Sequence, residues 1–172
     1  MSLLGDAARL ALRFDATAVR DGQLWRLLTA HLVHLGNAHA ALNAVGLGLL
    51  AVLFAPTLRA LEWTAGGLIS ALTVSLGLLW LSPELDWYVG LSGVLHGLFV
   101  IGAVSMSRSE GWLALGLLAG LAMKLAWEQF AGPVPGSELT AGGPVVVDAH
   151  LYGAVGGWIA TVATRLVPRK RV

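Results

Sequence analysis

The stretch Leu27–Leu58, LLTAHLVHLGNAHAALNAVGLGLLAVLFAPTL, runs for 32 residues without an aspartate, glutamate, lysine or arginine. A helix that crosses a bilayer needs about 20 mostly apolar residues, so this run is long enough to contain one. The run nevertheless carries His31, His34, His39 and Asn43. Polar and ionisable groups are costly inside a membrane and usually mark a site. The stretch therefore predicts a membrane helix that also carries functional side chains.

The composition of the whole chain supports a membrane protein. Of 172 residues, 56% are hydrophobic and only 12% are charged, against about 25% charged in soluble domains. This excludes a disordered chain. The absence of cysteine excludes a disulfide scaffold and cysteine-based metal or redox sites. A net charge of +1 gives no basic face for nucleic acid. We predict a single membrane domain over residues 1–172.

Four further apolar runs follow the first, separated by proline- and glycine-containing breaks or short polar turns. They predict an all-α, polytopic bundle of about five spanning helices, near residues 31–54, 61–81, 92–107, 111–130 and 147–167. The domain then consists of an N-terminal segment with an outer loop (1–30), the helical bundle (31–167) and a basic tail (168–172). The Gly- and Pro-rich loop at 131–147 has a length often found in functional lids.

The first 14 residues do not fit a complete spanning helix, because they are few and contain Asp6, Arg9 and Arg13. They predict either an amphipathic interfacial helix or the remnant of a sixth spanning helix. Basic residues at Arg59, Arg108 and the C-terminal tail fall on alternate connections, which the positive-inside tendency assigns to the cytoplasm. The four arginines within residues 1–30 oppose this orientation.

Ser92 is the candidate nucleophile, within Gly90-Leu91-Ser92-Gly93 at the predicted start of the third spanning helix. A serine hydroxyl is a weak nucleophile unless a base takes its proton. His150 is the candidate base, because it lies near the start of the last helix at about the same depth. Each residue alone has a structural alternative: a serine that begins a helix, and a histidine bonded to a neighbouring helix.

Two glycine patterns favour contact between the candidate nucleophile and base. Gly93 and Gly97 on one helix, and Gly153 and Gly157 on the other, form Gly-x-x-x-Gly repeats, which allow helix backbones to approach closely. Close approach is what a short serine side chain needs to reach a histidine at about 2.6–3.2 Å.

No carboxylate partner for the candidate base is evident in the sequence. Asp148 lies two residues from His150, about 200° round a helix, and should point elsewhere. Lys124 and Glu128 form an i,i+4 pair on the fourth helix, which we interpret as a self-neutralising pair near the membrane surface. The sequence therefore predicts a Ser-His dyad.

His39 and Asn43 also lie four residues apart and thus share a helix face. Both can donate hydrogen bonds, as stabilisation of a developing oxyanion requires; the alternative is polar contact between helices. A metal site could use His31, His34 and His39. However, His34 and His39 differ in direction by about 140° round a helix, so the three rings cannot easily converge on one ion. We predict no metal and no other cofactor, and interpret His31 and His34 as structural or interfacial.

Together these residues resemble the rhomboid intramembrane serine proteases. Trp25-Arg26 looks like that family's outer-loop segment, His34, His39 and Asn43 match its His-x-x-x-x-His-x-x-x-Asn helix, and the motifs around Ser92 and His150 match its nucleophile and base. The resemblance implies that Ser92 attacks, that His150 acts as base, and that His39, Asn43 and the Ser92 backbone N–H hold the oxyanion. Supporting roles then fall to Gly90, Gly93, His96, Gly153, Gly157, Trp25, Arg26 and His34.

Within that family the chain looks similar to the rhombosortases, on Gly-Leu-Ser-Gly-Val-Leu-His-Gly and Asp-Ala-His-Leu-Tyr-Gly. His96 stands where many rhomboids have a tyrosine that stacks on the catalytic histidine. The likeness implies a multi-pass protein of the bacterial inner membrane, with its site open to the periplasmic side and its C-terminus in the cytoplasm. Its partners would be exported proteins with a C-terminal Gly-Gly-type signal, a membrane helix and a basic tail.

Two other functions remain open at this point. A non-catalytic rhomboid-like protein would bind transmembrane helices without cleaving them, although retention of both Ser92 and His150 speaks against it. A small metal or proton transporter would use His31, His34 and His39.

Overall fold

The computed structural model describes residues 5–166 of the chain. Over that range the secondary structure is helical apart from two short strands that pair antiparallel. In chain order the elements are α1 (Gly5–Leu12), β1 (Phe14–Asp15), α2 (Ala16–Arg20), α3 (Arg26–Thr29), a 3-10 helix (Ala30–Leu32), α4 (Asn37–Phe54), α5 (Ala60–Leu81), β2 (Trp87–Tyr88), α6 (Ser92–Met106), α7 (Gly111–Ala131), α8 (Ser137–Ala141) and α9 (Val147–Arg165).

The prediction of an all-α membrane bundle is confirmed. Among the described residues, α4, α5 and α7 are long and apolar enough to cross a membrane. The apolar helix α6 is shorter, at 15 residues, and α9 has 19 residues with nine of them buried. The predicted bounds of the last four helices agree with these elements to within a few residues. The predicted basic tail, 168–172, lies outside the described residues.

The predicted start of the first spanning helix, at residue 31, is wrong. His31 lies on the 3-10 helix, Val33 is extended, and α4 begins only at Asn37 after an extended Gly36. Because residues 27–58 carry no charge, apolarity alone could not separate a buried loop from the helix that follows it. His31, His34 and His39 therefore do not share one helix.

The core of the bundle is formed by α5, α6 and α9, and glycines bring these helices together. A Cβ atom on Gly97 would overlap the Ser70 hydroxyl, and one on Gly157 would overlap the Gly97 carbonyl oxygen. Backbones this close leave no room for side chains. We call the α6–α9 contact, with its glycines Gly93, Gly97, Gly153 and Gly157, the glycine seam.

One end of the bundle gathers the polar groups, and we call it the site end. The starts of α4, α6 and α9 meet the ends of α5 and α7 there, as side-chain contacts between these helices show. Ser82, just after α5, donates a hydrogen bond to Asp148 of α9 at 2.7 Å. Asp148 thus has a partner of its own, in keeping with the prediction that it points away from His150.

The N-terminal segment folds against the site end. Among the described residues, α1 covers Gly5–Leu12, and β1 pairs antiparallel with β2. Arg26 is buried and donates hydrogen bonds to the carbonyl oxygens of Leu10 and Arg13, at 2.9 and 2.8 Å. Trp25 Nε1 donates to the Ala11 carbonyl oxygen at 3.3 Å. The Trp-Arg pair therefore attaches α1 to the bundle.

Candidate active site

The structure brings Ser92 and His150 into contact. Ser92 Oγ lies 3.0 Å from His150 Nε2, across the glycine seam. Ser92 is the first residue of α6 and His150 the fourth residue of α9, so both lie within about one turn of the site end. His150 is buried, while Ser92 is half-exposed. A hydroxyl at this distance from an imidazole can pass its proton to the ring.

Glycines of the seam set this distance. A Cβ atom on Gly93 would lie 2.6 Å from the Ala149 carbonyl oxygen, directly before His150. A Cβ atom on Gly153 would overlap the Gly93 carbonyl oxygen. Any larger residue at either position would push α6 and α9 apart and separate the hydroxyl from the ring.

His96 lies one turn after Ser92 and stacks on His150. The two ring centroids are 4.2 Å apart with an interplanar angle of 16°. His96 Nδ1 lies 2.7 Å from the Ser92 carbonyl oxygen, and its Nε2 lies 2.8 Å from Lys124 Nζ. Because a carbonyl oxygen only accepts and an ammonium only donates, His96 carries its proton on Nδ1. Its ring is thereby fixed from both sides.

His39 and Asn43 line the same cavity as Ser92. The Leu35 backbone N–H donates to His39 Nδ1 at 3.4 Å, so the ring proton is on Nε2. A Cβ atom on Gly90 would lie 2.8 Å from His39 Cε1. Asn43 Nδ2 donates one hydrogen bond to the His39 carbonyl oxygen at 3.0 Å, and its amide has a second N–H. These donors lie on the cavity wall beside the serine.

The turn that leads into Ser92 depends on Gly90 and Tyr88. Gly90 has a φ of +127°, a conformation that L side chains rarely adopt. The buried Tyr88 hydroxyl donates to the Gly90 carbonyl oxygen at 2.8 Å. Burial raises the pKa of Tyr88 to about 12, so the phenol keeps the proton that makes this hydrogen bond.

The prediction that no carboxylate contacts His150 is wrong. Glu128 of α7 is only 3% exposed, and its two carboxylate oxygens lie 3.1 and 3.0 Å from His150 Nδ1. Lys124 and Glu128 do form the predicted ion pair, at 2.7 Å. That pair is not self-contained, because the carboxylate also accepts from the histidine. The signal was available: Glu128 lies three residues before the end of α7, about as far from the site end as His150.

His96, Glu128 and His150 have side-chain ligand atoms within 4.8 Å of one another, close enough to hold a metal ion. Lys124 Nζ lies 2.8 Å from His96 Nε2, 2.7 Å from Glu128 Oε2 and 3.2 Å from His150 Nδ1. The cluster therefore already contains a cation, and a metal ion would have to displace the ammonium. The chemistry of this set fits a charge-balanced hydrogen-bond cluster better than a metal site.

A cavity of about 510 Å³ lies over Ser92. The 131–147 loop contributes Val134, Ser137, Pro144, Val145 and Val146 to its walls. Part of that loop forms α8, a short helix that the sequence did not predict. The loop thus forms part of the wall of the cavity that Ser92 also lines.

Two other predicted residues lie apart from this arrangement. His31 is 2% exposed, and its Nε2 lies 3.0 Å from the Ala71 carbonyl oxygen and 3.1 Å from Ser75 Oγ, which makes it part of the core. His34 packs edge-on against His39 with ring centroids 5.0 Å apart, so it contacts the site through His39.

Comparison with known families matches residues 21–166 to the rhomboid domain. No curated protein matches the chain. The matched range contains every candidate site residue, from Trp25 to Gly157, and it covers well over half of the sequence. Together with the apolar helices it shows an integral membrane protein. The chain belongs to the rhomboid family, whose members are generally intramembrane serine proteases.

Proposed function

We propose that this protein is an intramembrane serine endopeptidase in which Ser92 is the nucleophile and His150 the general base. The observation that carries the proposal is the 3.0 Å contact between Ser92 Oγ and His150 Nε2 at the wall of a cavity. A structural serine on a close-packed helix needs no imidazole at that distance. A nucleophile does, because the imidazole must take its proton.

In the first half of the reaction, His150 Nε2 takes the Ser92 proton as Oγ attacks the scissile carbonyl carbon. The tetrahedral intermediate collapses when its C–N bond breaks, and the proton on Nε2 passes to the leaving amine. Water then attacks the acyl-enzyme, again giving a proton to His150, and Ser92 Oγ regains a proton as the C–O ester bond breaks. Each half-reaction thus returns the imidazole to its neutral form.

Hydrogen-bond donors for the oxyanion come from two helices. The Ser92 backbone N–H is at the first position of α6, where an N–H has no partner within its own helix. His39 Nε2 and the second N–H of Asn43 supply further donors from α4. Donors that are already oriented stabilise the negative oxygen without reorganisation, which is where much of the rate enhancement arises.

The proposed substrates are exported proteins with a C-terminal Gly-Gly-type signal, a membrane helix and a basic tail. Support comes from the likeness of the Ser92 and His150 segments to rhombosortases. An intact helix hides its carbonyl carbons, and glycine costs about 1 kcal/mol in helix stability relative to alanine, so a Gly-Gly pair would favour local unwinding. Residues within 134–146 form part of the cavity wall beside Ser92, and in this proposal the unwound segment enters along them.

We further propose the bacterial inner membrane as the location, with the site end facing the periplasm and the C-terminus in the cytoplasm. Arg59, Arg108 and Arg165 support this orientation, because they fall at the other end of the bundle. Water needed for release of the acyl group would then enter from the periplasmic side.

The test is co-expression with an exported reporter that carries a Gly-Gly signal, a membrane helix and a basic tail. We expect the wild-type protein to release the reporter from its anchor, and Ser92→Ala and His150→Ala to leave it uncleaved at equal expression. A matched reporter whose Gly-Gly pair is replaced by Leu-Leu should be cleaved poorly. Release that persists with Ser92→Ala would contradict the proposal, and binding without cleavage by the wild type would favour a non-catalytic helix-binding protein.

A further inference from the structure

We propose that Glu128 is a positioning residue: its carboxylate holds the proton of His150 on Nδ1, so that Nε2 presents a lone pair to the Ser92 hydroxyl. The proposal rests on the proposed function for its catalytic consequence. Its structural content, the tautomer of one histidine in the resting protein, stands independently of any substrate.

The contact distances determine the tautomer. Both carboxylate oxygens of Glu128 lie within 3.1 Å of His150 Nδ1, and an ionised carboxylate accepts hydrogen bonds but donates none. Nδ1 must therefore carry the proton. In a neutral imidazole the other nitrogen is then an acceptor, and that nitrogen, Nε2, is the one 3.0 Å from Ser92 Oγ. The opposite tautomer would point an N–H at the hydroxyl and could not take its proton.

Burial makes this preference strong. Glu128 is 3% exposed and His150 is 6% exposed, so little solvent competes with the contact between them. Hydrogen bonds to a charged acceptor are roughly twice as strong as neutral ones. A buried ring without such a partner would be free to adopt either tautomer or to rotate.

The remaining groups around the ring explain how a buried carboxylate is tolerated. Lys124 Nζ donates to Glu128 Oε2 at 2.7 Å and to His96 Nε2 at 2.8 Å. It also lies 3.2 Å from His150 Nδ1, but two donors cannot share a hydrogen bond, so this contact is a close approach only. Lys124 thus neutralises Glu128 while the N–H at His150 Nδ1 still has the carboxylate as its acceptor. In this proposal Glu128 orients the His150 ring and Lys124 neutralises Glu128. In a purely structural ion pair, loss of either residue would have the same effect.

The test compares Glu128→Gln with Lys124→Met, two variants that each break the same ion pair. Histidine-selective ¹⁵N labelling of the purified full chain in lipid nanodiscs reports which ring nitrogen carries the proton, and the His150 signal among the five histidines is identified by its loss in His150→Ala. Spectra are recorded near pH 8.5, about two units above the ordinary histidine pKa.

We expect His150 to carry its proton on Nδ1 in the wild type and in Lys124→Met. In Glu128→Gln we expect a substantial Nε2-protonated population, because the glutamine amide can donate to Nδ1 as well as accept from it. Where the reporter is cleaved, Glu128→Gln should lower kcat by about 10²–10⁴-fold, the usual contribution of general acid–base catalysis. KM should be nearly unchanged, and Lys124→Met should lose less activity.

Two results would overturn the proposal: a wild-type His150 protonated on Nε2, or equal tautomers and equal kcat losses in the two variants. Even if Glu128→Gln does not fold, the wild-type spectrum still tests the proposal, because it shows which nitrogen of His150 carries the proton. Since the spectra need no substrate, an Nδ1-protonated His150 in a protein that cleaves nothing would contradict the proposed function and leave the positioning role standing.

Discussion

The glycine seam and the helix α7 differ in packing, yet both contribute to the same site. In the most apolar window of α7, only 11% of residues are buried inside the protein, against 39% for α5 in the core. The seam has no space for a Cβ atom at Gly153, whereas Gly116 of α7 has nothing within 4 Å of the corresponding position. The seam carries Ser92 and His150, and α7 carries Glu128.

This difference separates two structural tasks. The seam sets the distance between nucleophile and base, and close backbone packing keeps that distance fixed because interiors tolerate little added volume. The loosely packed α7 brings a charge to the back of the base and depends on local ion pairing to hold it. Close packing thus fixes the distance over which the Ser92 proton moves to His150. The charge of Glu128 fixes the orientation of the His150 ring.

The largest effect is expected from a change in the seam. Gly153→Val should abolish folding of the bundle, because its side chain would overlap the Gly93 carbonyl backbone rather than a flexible side chain. The matched control is Gly116→Ala on α7, where the space is open and alanine favours the helix by up to about 1 kcal/mol. Thermal unfolding in detergent measures both. A stable, active Gly153→Val protein would refute the role of the seam.

A smaller effect is expected on α4, which packs against α6 outside the seam. Asn43→Ala should lower kcat by about 10²–10³-fold, the usual cost of one oxyanion donor. The unfolding temperature should fall only slightly, because the lost hydrogen bond to the His39 carbonyl oxygen lies within one helix. Cleavage kinetics and thermal unfolding on the same preparation separate the two effects. A large loss of stability with unchanged kcat would assign Asn43 to packing.

The glycine seam and its two reactive residues could be predicted from the sequence. Polar groups are rare in membrane helices, so Ser92 and His150 stood out, and small residues at four-residue spacing indicated close helix contact. The sequence pairs Glu128 only with Lys124, because an i,i+4 partner already accounts for the charge of the carboxylate. Only the three-dimensional packing of α7 against α9 shows that the carboxylate also reaches His150.

Two features of the fold were not predictable from the pattern. The uncharged run from Leu27 gave no sign that Val33 and Gly36 are extended and that α4 begins only at Asn37. The pairing of Phe14–Asp15 with Trp87–Tyr88 joins two-residue strands more than 70 positions apart, too short for a periodic signal. Both depend on contacts between distant segments rather than on local sequence.

The most direct test of the central claim is labelling of the purified protein with a fluorophosphonate probe, with the modified residue identified by mass spectrometry. We expect modification of the wild type at Ser92 alone, no modification of Ser92→Ala, and a rate at least about 10²-fold lower for His150→Ala, because the base is then absent. Labelling of Ser92 at the same rate without His150 would contradict activation of the serine by this histidine.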